Sequence, residues 1–294
     1  MDKLLLIGCG DIGRRVAKLA LAEKTKVFAL ARTSEQAAEL AALGIKTVTG
    51  DLDEPGPIPD LPTAGAAVVY LAPPPGGGEL DPRMRVFLGS IEPGEEPKKI
   101  VYISTSGVYG DCGGDVVTER TPTRPATARA RRRLDAETIL QQWGGCRRVP
   151  TVILRVTGIY GPGRLPIARL TEGHPVLREE EAPLTNRIHA EDLARICLAA
   201  AERGEAGEIY NVSDGHPTTM TAYFNAVADA LGLPRPPQIP FAEAKQVMAP
   251  LMLSYLTESR RMDNRKLLER LGVTLAYPDL AAGLAAVGAE RQRR

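Results

Sequence analysis

Aromatic residues make up only 4% of this 294-residue chain, with a single Trp, so the core has to be built from Leu, Val, Ile and Ala. The three histidines, His174, His189 and His216, lie far apart and match no metal-ligand spacing, so the sequence offers no metal site. Four scattered cysteines (Cys9, Cys112, Cys146, Cys197) form no C-x-x-C pair and read as reduced thiols. A net charge of +1 removes any general electrostatic case for nucleic acid or acidic membranes. No stretch approaches the roughly 20 apolar residues of a membrane helix. Leu6-Ile7-Gly8-Cys9 has the form of a lipoprotein cleavage site, but the apolar run before it is about four residues, short of a signal h-region. No serine sits in a nucleophile elbow, which argues against a hydrolase. These absences leave a cytoplasmic chain with a small-molecule ligand, no nucleic acid and no membrane, as a monomer or homodimer. With 44% hydrophobic and 25% charged residues, the rest of the composition is that of an ordinary globular protein.

What is present is concentrated at the start. Lys3-Leu4-Leu5-Leu6-Ile7 is short, apolar and ended by glycine, as a buried parallel strand is. Gly8-Cys9-Gly10-Asp11-Ile12-Gly13 follows at once, then residues 14–23 at helical spacing, then a second apolar strand over 27–31. In such a β-α-β unit Gly8 permits the tight turn, Gly10 lets a pyrophosphate approach the backbone, and Gly13 lets helix pack on strand. The helix N-terminus, with Ile12 in its first turn, offers unpaired N–H groups to the phosphates. Asp11 is compatible with that site because acidic residues are favourable in a first helical turn. The unit predicts dinucleotide binding.

The end of the second strand bears on which dinucleotide. An NAD site places an acid there for the ribose 2′-hydroxyl. This chain has Ala31-Arg32-Thr33-Ser34, and guanidinium pairs with a 2′-phosphate through charge-assisted bonds. Arg32 and Thr33 therefore favour NADP(H), with NAD and a merely solvated loop arginine as the alternatives.

Further strands are predicted over 46–49, 66–72, 99–103, 151–156 and 209–212, with helices over 35–43, 82–90, 129–142 and 191–202. A proline-rich, irregular crossover occupies 55–62. Alternating strands and helices predict an α/β fold, a doubly wound, mostly parallel Rossmann sheet. The loop over 73–78, three prolines and three glycines, leaves a strand at its carboxyl end, where ligands bind in such sheets. Helices are also predicted over 219–231 and 263–271. The expected organisation is an NAD(P)-binding domain over 1–160, completed by 186–213, with 161–185 and 214–294 forming a small discontinuous substrate lobe.

From Val101 onward the chain resembles the extended and atypical short-chain dehydrogenase/reductases, the NAD-dependent epimerase/dehydratase superfamily. The resemblance rests on Val101-Tyr102-Ile103-Ser104-Thr105-Ser106-Gly107-Val108-Tyr109-Gly110, Leu154-Arg155-Val156-Thr157-Gly158-Ile159-Tyr160-Gly161-Pro162-Gly163, Asn186-Arg187-Ile188-His189-Ala190-Glu191-Asp192-Leu193-Ala194 and Tyr210-Asn211-Val212-Ser213-Asp214. It implies that Thr105 hydrogen-bonds a substrate carbonyl or hydroxyl, that Asp51 and Leu52 lie near the adenine, and that Leu71, Ala72 and Pro73 run along the cofactor ribose.

The same resemblance exposes a departure. The family's catalytic pair is a Tyr with a Lys four residues later, in which lysine lowers the tyrosine pKa and holds the nicotinamide ribose. Here Arg129 and Arg133 stand at those positions. No tyrosine occurs between Tyr109 and Tyr160 and no lysine between Lys99 and Lys245, so no shift of register restores the pair. Arg133 suits ribose or phosphate but is a poor proton relay, and a solvated helix turn explains the cluster at 129–133 equally well. Tyr109 and Tyr160 are the candidate replacement acids, while His189 reads as structural. Two functions stand open: an NADP(H)-dependent oxidoreductase or epimerase-like enzyme that retains Thr105, and a non-catalytic NADP(H)-binding sensor or subunit.

Overall fold

The computed structural model describes residues 1–292, so the last two residues of the 214–294 segment lie outside it. Seven parallel strands form one central sheet: β1 (Lys3–Ile7), β2 (Lys26–Ala31), β3 (Lys46–Thr49), β4 (Ala67–Tyr70), β5 (Lys99–Thr105), then Thr151–Val156 and Ile209–Val212. Their spatial order runs Ile209–Val212, Thr151–Val156, β5, β4, β1, β2, β3. The chain therefore winds outward from β1 in one direction and returns through β4 in the other. The boundary between β1 and β4 is the switch point where an open α/β sheet leaves a crevice at the carboxyl ends of its strands.

Residue alternation along the strands explains the two helical layers. Leu4 and Leu6 of β1, Val69 of β4 and Val101 and Ile103 of β5 face one side. Helices α1 (Asp11–Ala22) and α6 (Ala190–Arg203) cover them through Val16, Ala20, Leu193 and Cys197. Leu5 and Ile7, Val68 and Tyr70, and Ile100 and Tyr102 face the other side. There α3 (Pro82–Gly89) and α4 (Ala128–Arg147) supply Met84, Phe87, Ala136 and Leu140. With both faces covered, the strands read as continuous apolar runs, and the doubly wound α/β expectation holds.

A separate apolar cluster lies off the sheet. Leu170 and Val176 from the 161–185 segment pack with Tyr223, Phe224 and Val227 of the helix Met220–Leu231, with Leu284 and with Tyr160. Three structural differences from the sequence reading matter. Strand β5 continues two residues past the expected end, so Thr105 is its last residue. The helix expected over 263–271 shrinks to Arg265–Arg270, because Asp263 and Asn264 are drawn into hydrogen bonds with Arg265 and the Ser213 carbonyl. The short helices Phe241–Val247 and Pro250–Tyr255 are unforeseen in the sequence, and the second brings Tyr255 to the cleft described below. Among the described residues no helix is long and apolar enough to cross a membrane.

Candidate functional site

The three motif glycines do different physical work. Gly8 has φ +94°, and a Cβ there would lie 2.5 Å from the Ala72 amide nitrogen, so β1 turns against the start of the 71–78 loop. A Cβ on Gly13 would meet the Gly8 carbonyl at 3.0 Å, where α1 crosses the turn. A Cβ on Gly10 would meet nothing within 4 Å. Gly10 caps α1 without a side-chain bond, so the first-turn N–H groups at Ile12 and Gly13 border open space suited to a pyrophosphate. Asp11 does not oppose an anion there. Burial alone would push its carboxyl up, but hydrogen bonds from Arg164 and Arg15 outweigh that and hold it below the ordinary range.

Farther along the carboxyl edge, Arg32 is exposed and its guanidinium makes no hydrogen bond or ion pair among the described residues. Thr33 Oγ1 accepts from the Gln36 amide at 3.2 Å and caps the helix α2 (Ser34–Ala42). Asp51 accepts from the Asp53 amide at 3.0 Å, and Leu52 is buried among Leu30 and Ile58. The Leu71 and Ala72 amides donate to the Ile7 carbonyl at 2.7 and 2.9 Å, fixing the loop to β1. Arg83 donates to the Pro73 carbonyl at 2.7 Å while gripping Asp53 with two bonds of 2.6 and 2.5 Å. At the other end of the loop, Arg132 donates to the Gly78 carbonyl.

Beside this edge opens a cleft of about 480 Å³, lined by Pro73 to Gly76, by Thr105 to Gly107, and by Thr157 to Ile159 and Leu184 to Arg187 across from them. Thr105 Oγ1 accepts from the Gly107 amide at 3.2 Å, which leaves its O–H to donate into the cleft. Arg129, Arg132, Arg133, Arg164, Arg187 and Arg260 line the walls, with Glu258 as their single carboxylate. Arg133 donates to the Ile103 carbonyl at 2.7 Å, tying α4 to β5 next to Thr105. Arg129 stacks on the Tyr255 ring at 4.3 Å and donates to its hydroxyl at 2.7 Å.

The Tyr109 expectation requires correction. Its ring is 1% exposed, lies over the Arg155 guanidinium at 4.9 Å, and donates its hydroxyl to Asn211 Oδ1 at 2.7 Å. Burial pushes the phenol pKa up, and the residue lines no part of the cleft. Tyr160 is likewise buried, donating to the Asp279 carbonyl at 3.0 Å. His189 caps α6, its Nδ1 accepting from the Glu191 amide at 3.3 Å, and stacks on Tyr277 at 3.8 Å.

Three features escaped sequence reasoning. Glu137 and Arg155 form a buried ion pair of 2.7 Å, and Ser104 donates to the same carboxylate. Arg187, in the short strand Arg187–His189, is buried without a carboxylate partner among the described residues; its trace in the sequence is an arginine beside Ile188 in a three-residue strand of Arg, Ile and His. Tyr255 arrives from a helix that composition does not announce, 126 residues from the arginine it contacts.

Residues 92–213 match the model of the NAD dependent epimerase/dehydratase family. Protein YeeZ of Escherichia coli K12 is 29% identical over 182 residues, 62% of this chain and 59% of YeeZ, so the match spans about three fifths of that relative. The dTDP-glucose 4,6-dehydratase of Neisseria gonorrhoeae is 30% identical over 39% of this chain and 36% of its own. Among solved structures, a conserved protein of unknown function from Silicibacter pomeroyi is 29% identical with a TM-score of 0.84, covering 99% of this chain and 100% of its own. MoeE5 in complex with UDP-glucose and NAD shares the fold at 21% identity and a TM-score of 0.75, covering 99% of this chain and 100% of its own. The parallel sheet, the glycine turn at its switch point and the match over residues 92–213 make this chain similar, across that segment, to the NAD dependent epimerase/dehydratase family.

Proposed function

We propose that the protein is an NADP(H)-dependent oxidoreductase or epimerase-like enzyme, with Thr105 orienting a substrate carbonyl or hydroxyl and Tyr255 moving the proton. One observation carries this reading. A single cleft joins the proline-glycine loop on the cofactor side, the free hydroxyl of Thr105, and a phenol held by a guanidinium. Bound nicotinamide would supply or take the hydride. The chain's own part is to orient the substrate at Thr105 Oγ1 and to pass a proton through the Tyr255 hydroxyl, with Arg129 stabilising the phenolate. Arg32, unpaired at the end of β2, supports the 2′-phosphorylated cofactor. Arg129 and Arg133 at the positions of the family's Tyr and Lys favour a second reading, a binding protein without turnover.

The test is nicotinamide absorbance with NADPH against a panel of carbonyl compounds bearing a carboxylate or phosphate. Tyr255→Phe is expected to lower turnover by about 10² to 10⁴ with cofactor affinity held, the usual worth of general acid–base transfer. An unchanged rate in Tyr255→Phe refutes the role of Tyr255. NADPH binding without turnover of any panel member supports the second reading.

A further inference from the structure

Arg187 is 6% exposed, and among the described residues no carboxylate oxygen comes within 4.0 Å of its guanidinium. Its Nη2 donates to Thr185 Oγ1 at 3.0 Å, a neutral partner, and touches the Met220 sulfur at 4.0 Å. Its Nε is buried with no hydrogen-bond partner. The guanidinium lies over the Tyr223 ring, its central carbon 3.7 Å from the centroid. Asp214, whose amide donates to the Arg187 carbonyl, accepts with its carboxylate from the His216 amide at 2.9 Å and reaches Arg187 only as a through-space charge, not as an ion pair within 4.0 Å. Burial pulls the guanidinium pKa down to about 10, which still leaves it charged at neutral pH.

A buried charge without a counterion is costly, and folded proteins retain one where something else supplies the opposite charge. The position of Arg187 says where that would be. It pairs in register with Gly158 on the neighbouring strand, and a Cβ on Gly158 would stand 3.2 Å from Nη1. Both residues line the cleft. The missing side chain at 158 therefore opens Nη1 toward the cavity, with the Tyr223 ring packed against the guanidinium. The other five cleft arginines add positive field: Arg164 and Arg260 have carboxylate partners, Arg132 and Arg133 donate to carbonyls and Arg129 to the Tyr255 hydroxyl, and Arg132 shares with Arg187 a buried, unpartnered Nε.

We infer that Arg187 and Gly158 form an anion subsite, which takes a carboxylate or phosphate group of the substrate within the cleft. The inference rests on reading the cleft as the substrate site, but its test needs no turnover.

Inorganic phosphate and acetate are titrated calorimetrically into the protein saturated with NADP+, which fills the glycine turn. At least one anion is expected to bind. Arg187→Met is expected to weaken it at least tenfold, with a melting temperature that holds or rises because no carboxylate loses a partner. Gly158→Ala, which keeps the charge and fills the space before Nη1, is expected to weaken it similarly. Phosphate alone binding assigns a phosphate group, and acetate alone assigns a carboxylate. No binding of either anion, or binding that survives both substitutions, overturns the subsite. NADP+ affinity is measured on the unsubstituted protein first. If it is absent, the anion titration is run without cofactor, so failure of the cofactor reading and failure of the subsite are read separately.

Discussion

The glycine turn gives the sharpest prediction, because the structure separates two residues that a motif treats alike. At Gly10 a side chain meets nothing within 4 Å, and the backbone, at φ −81° and ψ −150°, is open to any residue. Gly10→Val therefore fills only the open space that the proposed function gives to the pyrophosphate. Charge-assisted hydrogen bonds are worth about 1.5–3 kcal/mol each. Displacing the phosphates from two first-turn amides removes about 3–6 kcal/mol, or about 10² to 10⁴ in Kd. Folding stability should change by less than about 1 kcal/mol, the scale of a lost glycine cap. At Gly8 a Cβ would overlap the Ala72 nitrogen at 2.5 Å with φ at +94°. Gly8→Ala combines backbone strain of about 1–3 kcal/mol with overpacking of similar size, so it should destabilise the fold outright. Calorimetric titration of NADPH and NADH gives the binding arm, and urea unfolding gives the stability arm. A stable Gly10→Val variant with unchanged affinity, or a Gly8→Ala variant as stable as the parent, would refute the assignment of these roles.

Two further outcomes are expected. Glu137→Ala should cost about 3–5 kcal/mol in urea unfolding, since it strands the buried Arg155 charge, while the double change Glu137→Met with Arg155→Met should cost less than the single one; a double variant worse than the single contradicts this. Burial raises Asp214 from 3.8 to about 6, so folding takes up a proton between those values. Its contribution is fully present below pH 3.8 and lost as pH rises to 6, on the order of 3 kcal/mol. Asp214→Asn should therefore gain stability over the parent as pH is raised from 4 to 7, and a difference that stays flat with pH sinks the claim.

Legibility in the sequence followed sequence distance. The β1–α1–β2 unit, the strand beginning at Lys99 and the parallel order were readable because each rests on local spacing and on the economy of right-handed crossovers. Arg32 was readable as a chemical substitution at a fixed offset. Tyr109 misled because a tyrosine near the motif's Thr105 reads the same whether its hydroxyl faces the cleft or Asn211; only the packing of Arg155 on its ring decides. Arg129 stood out as a lost tyrosine, but its contact with Tyr255 crosses 126 residues, and no periodicity encodes such a meeting. Arg187 required knowing what is absent around it, which a linear sequence does not list.

The loop over 73–78 has a consequence for how often the cleft opens. Arg83 holds it at Pro73 and Arg132 at Gly78, while Gly76 and Gly77 lie between those clamps. Releasing both ends breaks two charged hydrogen bonds, about 3–6 kcal/mol together, so at equilibrium about one copy in 10² to 10⁴ has the loop fully detached. The glycines between retain their rotational freedom. Exchange of small molecules past this edge then depends on local bowing of a tethered span, on the ns–μs scale of loop motion, rather than on a rare whole-loop swing. A ligand too long to slip beneath the bow would wait on both clamps, so molecular length, independent of charge, becomes a filter on entry.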